Sequence, residues 1–386
     1  AARACGECHK DIFDQWLNSH HARANRLIHS SLDLPAFENP RTYSHGSFST
    51  RVSVMGPHMT IEQGPKDMTN EQVSAHRPEA VIGYEPLVQY LAPFPGGRLQ
   101  VVDMAYHPGS NEWFNVFGEE NRQPHEWGFW KNRGNNWNSQ CAFCHMTGFA
   151  KNYAPQTDSY RSSWAAMGIS CAQCHGPMEG HVANPSAPTS SQEVKTTQQV
   201  MDNCASCHSR RTELTGTFQP GDRFDDHFSL MLAHQPEIYH PDGQVLGENF
   251  TYGSFMMSRM AHRGITCLDC HNPHSAELTI PVRNNLLCLS CHQAPGQREA
   301  KLIDPATHSK HPPGSSGDAC IACHMPVTTY MQRDPRRDHS FSSPDPVMTR
   351  EFGIPNACTQ CHENEAVEWA VEWAVEWPWN GRGMAV

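Results

Sequence analysis

Hydrophobic and polar residues alternate along this chain in short bursts, and no single period persists for long. Ile12, Phe13, Trp16 and Leu17 recur at helical spacing, which predicts an amphipathic helix shortly after residue 10. Residues 48–54 and 59–62 instead alternate with period two, and residues 99–104 follow a Gly96-Gly97 turn. Residues 40–120 therefore read as a small β-rich unit. Residues 209–266 are polar and loop-like, and Pro312 to Gly317 read as a flexible connector. Arg333 to His339 form a charged turn. At the far end Ala-Val-Glu-Trp occurs three times, which places Trp369, Trp373 and Trp377 on one drifting stripe of a helix.

Composition changes this picture in two ways. The 27 Gly and 29 Pro among 386 residues favour short helices and long loops over regular layers. Only 38% of residues are hydrophobic, which is little for a chain long enough to form two or three domains. Something else must supply part of the core. The formal charge of −11 argues against a nucleic-acid partner. No apolar run is long enough for a transmembrane helix, and Ala1-Ala2-Arg3-Ala4 reads as a processed N-terminus.

The missing core is explained by the cysteines. All 16 fall into eight Cys-x-x-Cys-His motifs: Cys5/Cys8/His9, Cys141/Cys144/His145, Cys171/Cys174/His175, Cys204/Cys207/His208, Cys267/Cys270/His271, Cys288/Cys291/His292, Cys320/Cys323/His324 and Cys358/Cys361/His362. This is the attachment signature of haem c: two thiols three positions apart form thioethers to one porphyrin, and the next residue ligates its iron. Zinc sites or disulfides would also use paired cysteines, but neither requires a histidine after every second one. Eight covalent haems c are expected, with their porphyrins forming much of the core. Covalent attachment of this kind takes place outside the cytoplasmic membrane, so the expected compartment is periplasmic or extracellular, in a prokaryote.

The second axial position separates electron transfer from catalysis. Beyond the eight motif histidines there are 17 more, twice what a second ligand at every iron requires. Most haems are therefore expected to be bis-His, saturated and suited to relay. The candidates are His21, His45, His125, His181, His240, His274, His311 and His339, with His20, His262 and His308 in reserve. Met146 and Met325 directly follow motif histidines and read as packing residues. The expected division is a first-haem segment at 1–39, the β-rich insertion at 40–120, and a three-haem segment at 121–210. A connector with four haems at 211–365 and a C-terminal helix at 366–386 complete it.

Several contexts also resemble a known family. Trp16-x-x-Ser-x-His21-Ala, Val81-Ile-Gly-Tyr-x-Pro-Leu-x-Gln-Tyr90-Leu, Asn136-Trp-Asn-x-x-Cys-Ala-x-Cys-His145 and Cys174-His-Gly-Pro are similar to multihaem cytochromes. So are Gly264-Ile-Thr-Cys-x-Asp-Cys-His-x-Pro-His274, Cys323-His-Met-Pro, Arg336-Arg-Asp-His-Ser-Phe341 and Pro355-Asn-Ala-Cys-Thr-Gln-Cys-His362. The family resembled is that of the tetrahaem electron acceptor of hydroxylamine oxidoreductase, some members of which continue into tetratricopeptide repeats. The resemblance implies a mainly α, haem-packed fold with much irregular loop, and neighbouring porphyrins in parallel and perpendicular pairs. It also supports His21, His125, His274, His311 and His339 as recurrent positions.

Two functions compete. One is an electron carrier between a redox-protein donor and acceptor, with self-association into an extracellular filament or another oligomer as a variant. The other is an octahaem oxidoreductase of hydroxylamine, nitrite or tetrathionate with one open haem. Octahaem reductases of nitrite or tetrathionate typically carry a Lys in place of one motif histidine, whereas all eight positions here are His. The last tyrosine, Tyr330, precedes the eighth motif, where no cross-link of the hydroxylamine oxidoreductase kind is expected. The carrier is preferred, and no catalytic residue is assigned.

Overall fold

The computed structural model describes residues 2–68, 72–186, 196–248, 250–296 and 298–375. The amphipathic stretch forms the helix Lys10–Leu17. Its Trp16 indole N–H donates to the Ile169 carbonyl at 2.7 Å, tying the N-terminus to the strand of chain that leads into the third motif.

Two antiparallel sheets follow. The strands are β1 (Asn25–Leu27), β2 (Arg41–His45), β3 (Phe48–Met55), β4 (His58–Pro65), β5 (Ser74–His76), β6 (Ala80–Ile82), β7 (Val88–Phe94), β8 (Arg98–His107) and β9 (Glu112–Asn115). One sheet has the order β2-β3-β4-β5 and the other β1-β6-β7-β8-β9. Side chains alternate across a strand, and here both faces of the five-stranded sheet are covered. Tyr90, Ala92, Val102, Met104 and Trp113 pack against Val52 and Ile61 of the four-stranded sheet. Leu91 and Val101 face the other way, onto Trp137, Ala142 and Met146 around the second motif. The β unit thus backs directly onto a Cys-x-x-Cys-His segment.

Beyond residue 120 the chain forms short helices and two-stranded ribbons. The longest described helix is Thr197–His208, opened by a capping box between Thr196 and Gln199. It carries the fourth motif and packs through Met201 and Ala205 on Phe218, Phe224, Phe228, Tyr252 and Phe255. Helix and strand make up 30% and 23% of the chain, a more even mix than a mainly α expectation. The extra strand comes from doubly buried β7, apolar except for Gln89, and from ribbons of two to four residues that bracket the motifs. The tail helix is Val367–Val375, and Trp377 lies outside the described residues.

Candidate haem sites

At most motifs the backbone makes about one helical turn. The His9, His175 and His362 amides bond the carbonyls of Cys5, Cys171 and Cys358 at 2.8, 2.9 and 2.9 Å. The motifs at 142–145, 172–175, 286–292 and 320–324 are helical outright. Residues three and four apart share a helix face. Two thiols and an imidazole are therefore presented together.

Six motif histidines face a second imidazole. The ring centroids of His21–His208, His175–His274 and His311–His362 are each 6.2 Å apart. Those of His9–His181, His271–His339 and His308–His324 are 6.3, 6.4 and 6.1 Å apart. Imidazoles in direct contact would stack much closer. An imidazole nitrogen sits about 2 Å from a metal ion and roughly 1 Å from its own ring centre, so two rings across one iron stand about 6 Å apart. The spacing fits one iron per pair.

Ring orientation agrees. The Nδ1–H groups of His21, His145, His292, His324 and His339 donate to the carbonyls of Pro273, Ala24, Lys301, Ser342 and Arg337 at 3.0, 3.0, 2.9, 2.9 and 2.9 Å. His311 does the same to Ser309 at 2.6 Å. Such bonds fix the tautomer and leave Nε2 as the free lone pair, as a metal ligand requires. Burial also keeps these rings neutral. It lowers the His21, His145, His271 and His339 imidazoles and takes His208 down to about 4.

The second-ligand candidates divide accordingly. His21, His181, His274, His311 and His339 each stand opposite a motif histidine, and so does His308, held in reserve on the sequence. His308 ends a one-turn helix, Pro305–His308, capped by Asp304. That Asp-Pro-x-x-His pattern was the sequence signal for it. His45, His125 and His240 stand opposite no motif histidine. His45 directs Nε2 to the Gly118 carbonyl inside the β unit, which uses the nitrogen a metal would need. His125 is exposed. The amide of His240 is engaged in a turn with Gln244. His20 meets the Tyr84 ring edge-on instead, and His262 ends the short helix Arg259–His262. Among the described residues no imidazole faces His145 or His292.

The motifs also touch one another. The side chains of Cys5 and Cys171, Cys144 and Cys207, Cys204 and Cys267, and Cys288 and Cys320 lie beside one another. Cys174 and Cys204, Cys270 and Cys291, and Cys323 and Cys358 are also near neighbours. These contacts give the order first, third, fourth, fifth, sixth, seventh, eighth, with the second motif branching from the fourth. Cys8 and Cys361, at the two ends of that order, are the exposed cysteines of the sixteen.

Buried polar atoms without partners gather beside the motifs as well. They include Trp137 Nε1, Ser170 Oγ, Asn203 Oδ1 and His181 Nδ1. Such orphans are costly unless something polar meets them, and haem carboxylates are groups of that kind. The residues present fit haem c.

Comparison with known proteins agrees. Residues 4–80 and 119–176 match the family described as cytochrome c554 and c-prime. Cytochrome c-552 of Parabacteroides distasonis is 28% identical over 152 residues, covering 31% of this chain. The multiheme cytochrome MtrA of Shewanella baltica is 26% identical over 180 residues, covering 39%. The chain spans 29% and 51% of the lengths of these two relatives. The crystal structure of the outer cell wall cytochrome OcwA shares the fold, with a TM-score of 0.67, 19% identity, and coverage of 97% of this chain and 86% of that one. In its motifs, its ring spacing and these likenesses the chain is similar to multihaem c-type cytochromes.

Proposed function

We propose that this protein relays electrons through eight covalently attached haems c, between a redox-protein donor and acceptor in the periplasm or outside the cell. The observation that carries the reading is the set of six imidazole pairs at iron-spanning distance. Bis-His iron is coordinatively saturated, so it exchanges electrons without binding substrate. The unbroken run of neighbouring motif cysteines supports close haems, and the exposed end motifs supply two ports. In this reading His9/His181, His208/His21, His175/His274, His271/His339, His324/His308 and His362/His311 hold six irons. His145 and His292 hold the other two. No helix among the described residues is long and apolar enough to cross a membrane. The β unit serves as a scaffold on the second motif. Assembly into a filament is the variant in which end motifs of successive copies meet.

The test is a haem count by pyridine haemochrome with an EPR spectrum of the oxidised holoprotein. Eight haems with six low-spin equivalents are expected. Fewer than eight haems, or mostly high-spin iron, would overturn the relay. Electron microscopy of the purified protein separates discrete particles from filaments.

A second reading, an oxidoreductase of small nitrogen or sulfur compounds, is favoured by the lack of an opposing imidazole at His145. Near it lies the cluster in which Arg336 pairs with Glu248 at 2.6 Å and with Asp334 at 2.7 Å. Binding of nitrite or hydroxylamine with spectral change and turnover would support this reading, and inertness toward both would remove it.

A further inference from the structure

We infer that the β unit does more than back the second motif: the Asn25 amide and the Trp137 indole form a buried seat for one carboxylate of the haem attached at Cys141 and Cys144. The inference rests on the haem reading above and adds which residues anchor that haem from the sheet.

The two side chains reach the same wall by separate routes. Asn25 lies in β1 directly opposite Ile82 of β6. Residues opposite one another in an antiparallel pair project from the same face. Ile82 packs with Leu91, Val101, Trp137, Ala142 and Met146 around the second motif, so Asn25 is turned toward that motif too. The preceding residue agrees, since the Ala24 carbonyl accepts the His145 Nδ1–H at 3.0 Å. Trp137 arrives from the other side, on the helix Trp137–Gln140 that leads into Cys141. Phe149 and Trp164 hold its ring edge-on, with centroids 5.7 and 5.8 Å away.

Asn25 and Trp137 are each only 1% exposed, yet Trp137 Nε1 and both Nδ2 and Oδ1 of Asn25 have no hydrogen-bond partner. Buried amides and indoles are rarely left so, because water lost without replacement is costly. The asparagines flanking Trp137 show the ordinary case. Asn136 Nδ2 donates to Gln100 Oε1 at 3.0 Å, and Asn138 Nδ2 donates to Ser162 Oγ at 3.0 Å. An indole N–H only donates, so its partner must be an acceptor. A haem tethered at Cys141 and Cys144 brings carboxylates, which accept strongly. The cation near His145, Arg336, is already shared between Glu248 at 2.6 Å and Asp334 at 2.7 Å. Neutral donors on the sheet side therefore take the haem carboxylate, through Trp137 Nε1–H and an Asn25 Nδ2–H. Asn25 Oδ1 is left to accept from a water.

The test is reduced-minus-oxidised infrared difference spectroscopy of the intact holoprotein beside Asn25→Leu and Trp137→Phe. Each protein is prepared with unlabelled haem and with haem carrying 13C at its carboxyl carbons. Loss of a hydrogen bond moves a carboxylate stretch, and the isotope separates haem carboxylates from those of Asp and Glu. Both variants are expected to keep the parent's haem count and to shift the same isotope-sensitive band. Isotope-sensitive bands unmoved in both, or different bands moved by the two variants, would overturn the seat. So would shifts confined to isotope-insensitive bands, which would give the donors to a protein carboxylate. Asn25→Leu keeps the side chain's shape and decides alone if Trp137→Phe does not accumulate. Fewer haems than motifs in the parent would instead overturn the haem reading beneath it.

Discussion

The imidazoles of His175 and His274 lie nearly parallel, 4° apart, with 6.2 Å between their centroids. One ends the third motif and the other stands three residues beyond the fifth, so an iron held between them would dock the two motifs together. His274→Ala is expected to convert one haem from low-spin to high-spin and leave the haem count unchanged. EPR of the oxidised variant against the parent decides it, and an unchanged low-spin integral would mean that His274 holds no iron.

His145 and His292 orient Nδ1 onto carbonyls as the paired histidines do, yet among the described residues they face no second imidazole. About two of eight irons should therefore take up cyanide or added imidazole while six resist. Optical titration with either ligand should show a small high-spin band bleached at low concentration. No bleaching would show that other side chains close both irons.

Arg26 forms a two-armed ion pair with Asp33 at 2.7 Å, and Asp33 is only 1% exposed. Asp33 also accepts from the His29 amide at 2.7 Å. Removing one partner of a buried pair leaves an uncompensated charge, at a cost of about 3 kcal/mol. Arg26→Ala should lower the thermal midpoint clearly, whereas the double change Arg26→Met with Asp33→Leu should recover most of the loss.

Asp103 is buried in the β unit beside Gln63 and Asn115, and desolvation pushes its carboxyl up to about 6. The native state then binds this proton more tightly than the unfolded chain, whose carboxyl titrates near about 3.9. Its contribution is complete below about pH 4 and is lost as pH rises through 6, a swing of about 3 kcal/mol. Chemical denaturation from pH 4 to 8 should show this slope in the parent relative to Asp103→Asn. Parallel curves for the two proteins would place the carboxyl in a wetter site.

Much of this molecule was legible in the residues. Eight Cys-x-x-Cys-His motifs, the strands between residues 41 and 115 and the first amphipathic helix all follow from local spacing, because motif pattern and side-chain periodicity act over a few residues. Second ligands do not. His45 and His308 are alike as letters, yet one spends its Nε2 on Gly118 and the other faces His324. Which nitrogen is free depends on a carbonyl supplied from elsewhere in the chain.

The sequence by itself determined the eight Cys-x-x-Cys-His motifs and the residues in them, since that pattern needs only neighbouring residues. Tertiary structure decided which histidines meet, that the second motif branches from the fourth, and that Cys8 and Cys361 lie at the open ends. An iron would join rings whose centres lie 6.2 Å apart, as those of His21 and His208 do, however far apart they lie along the chain.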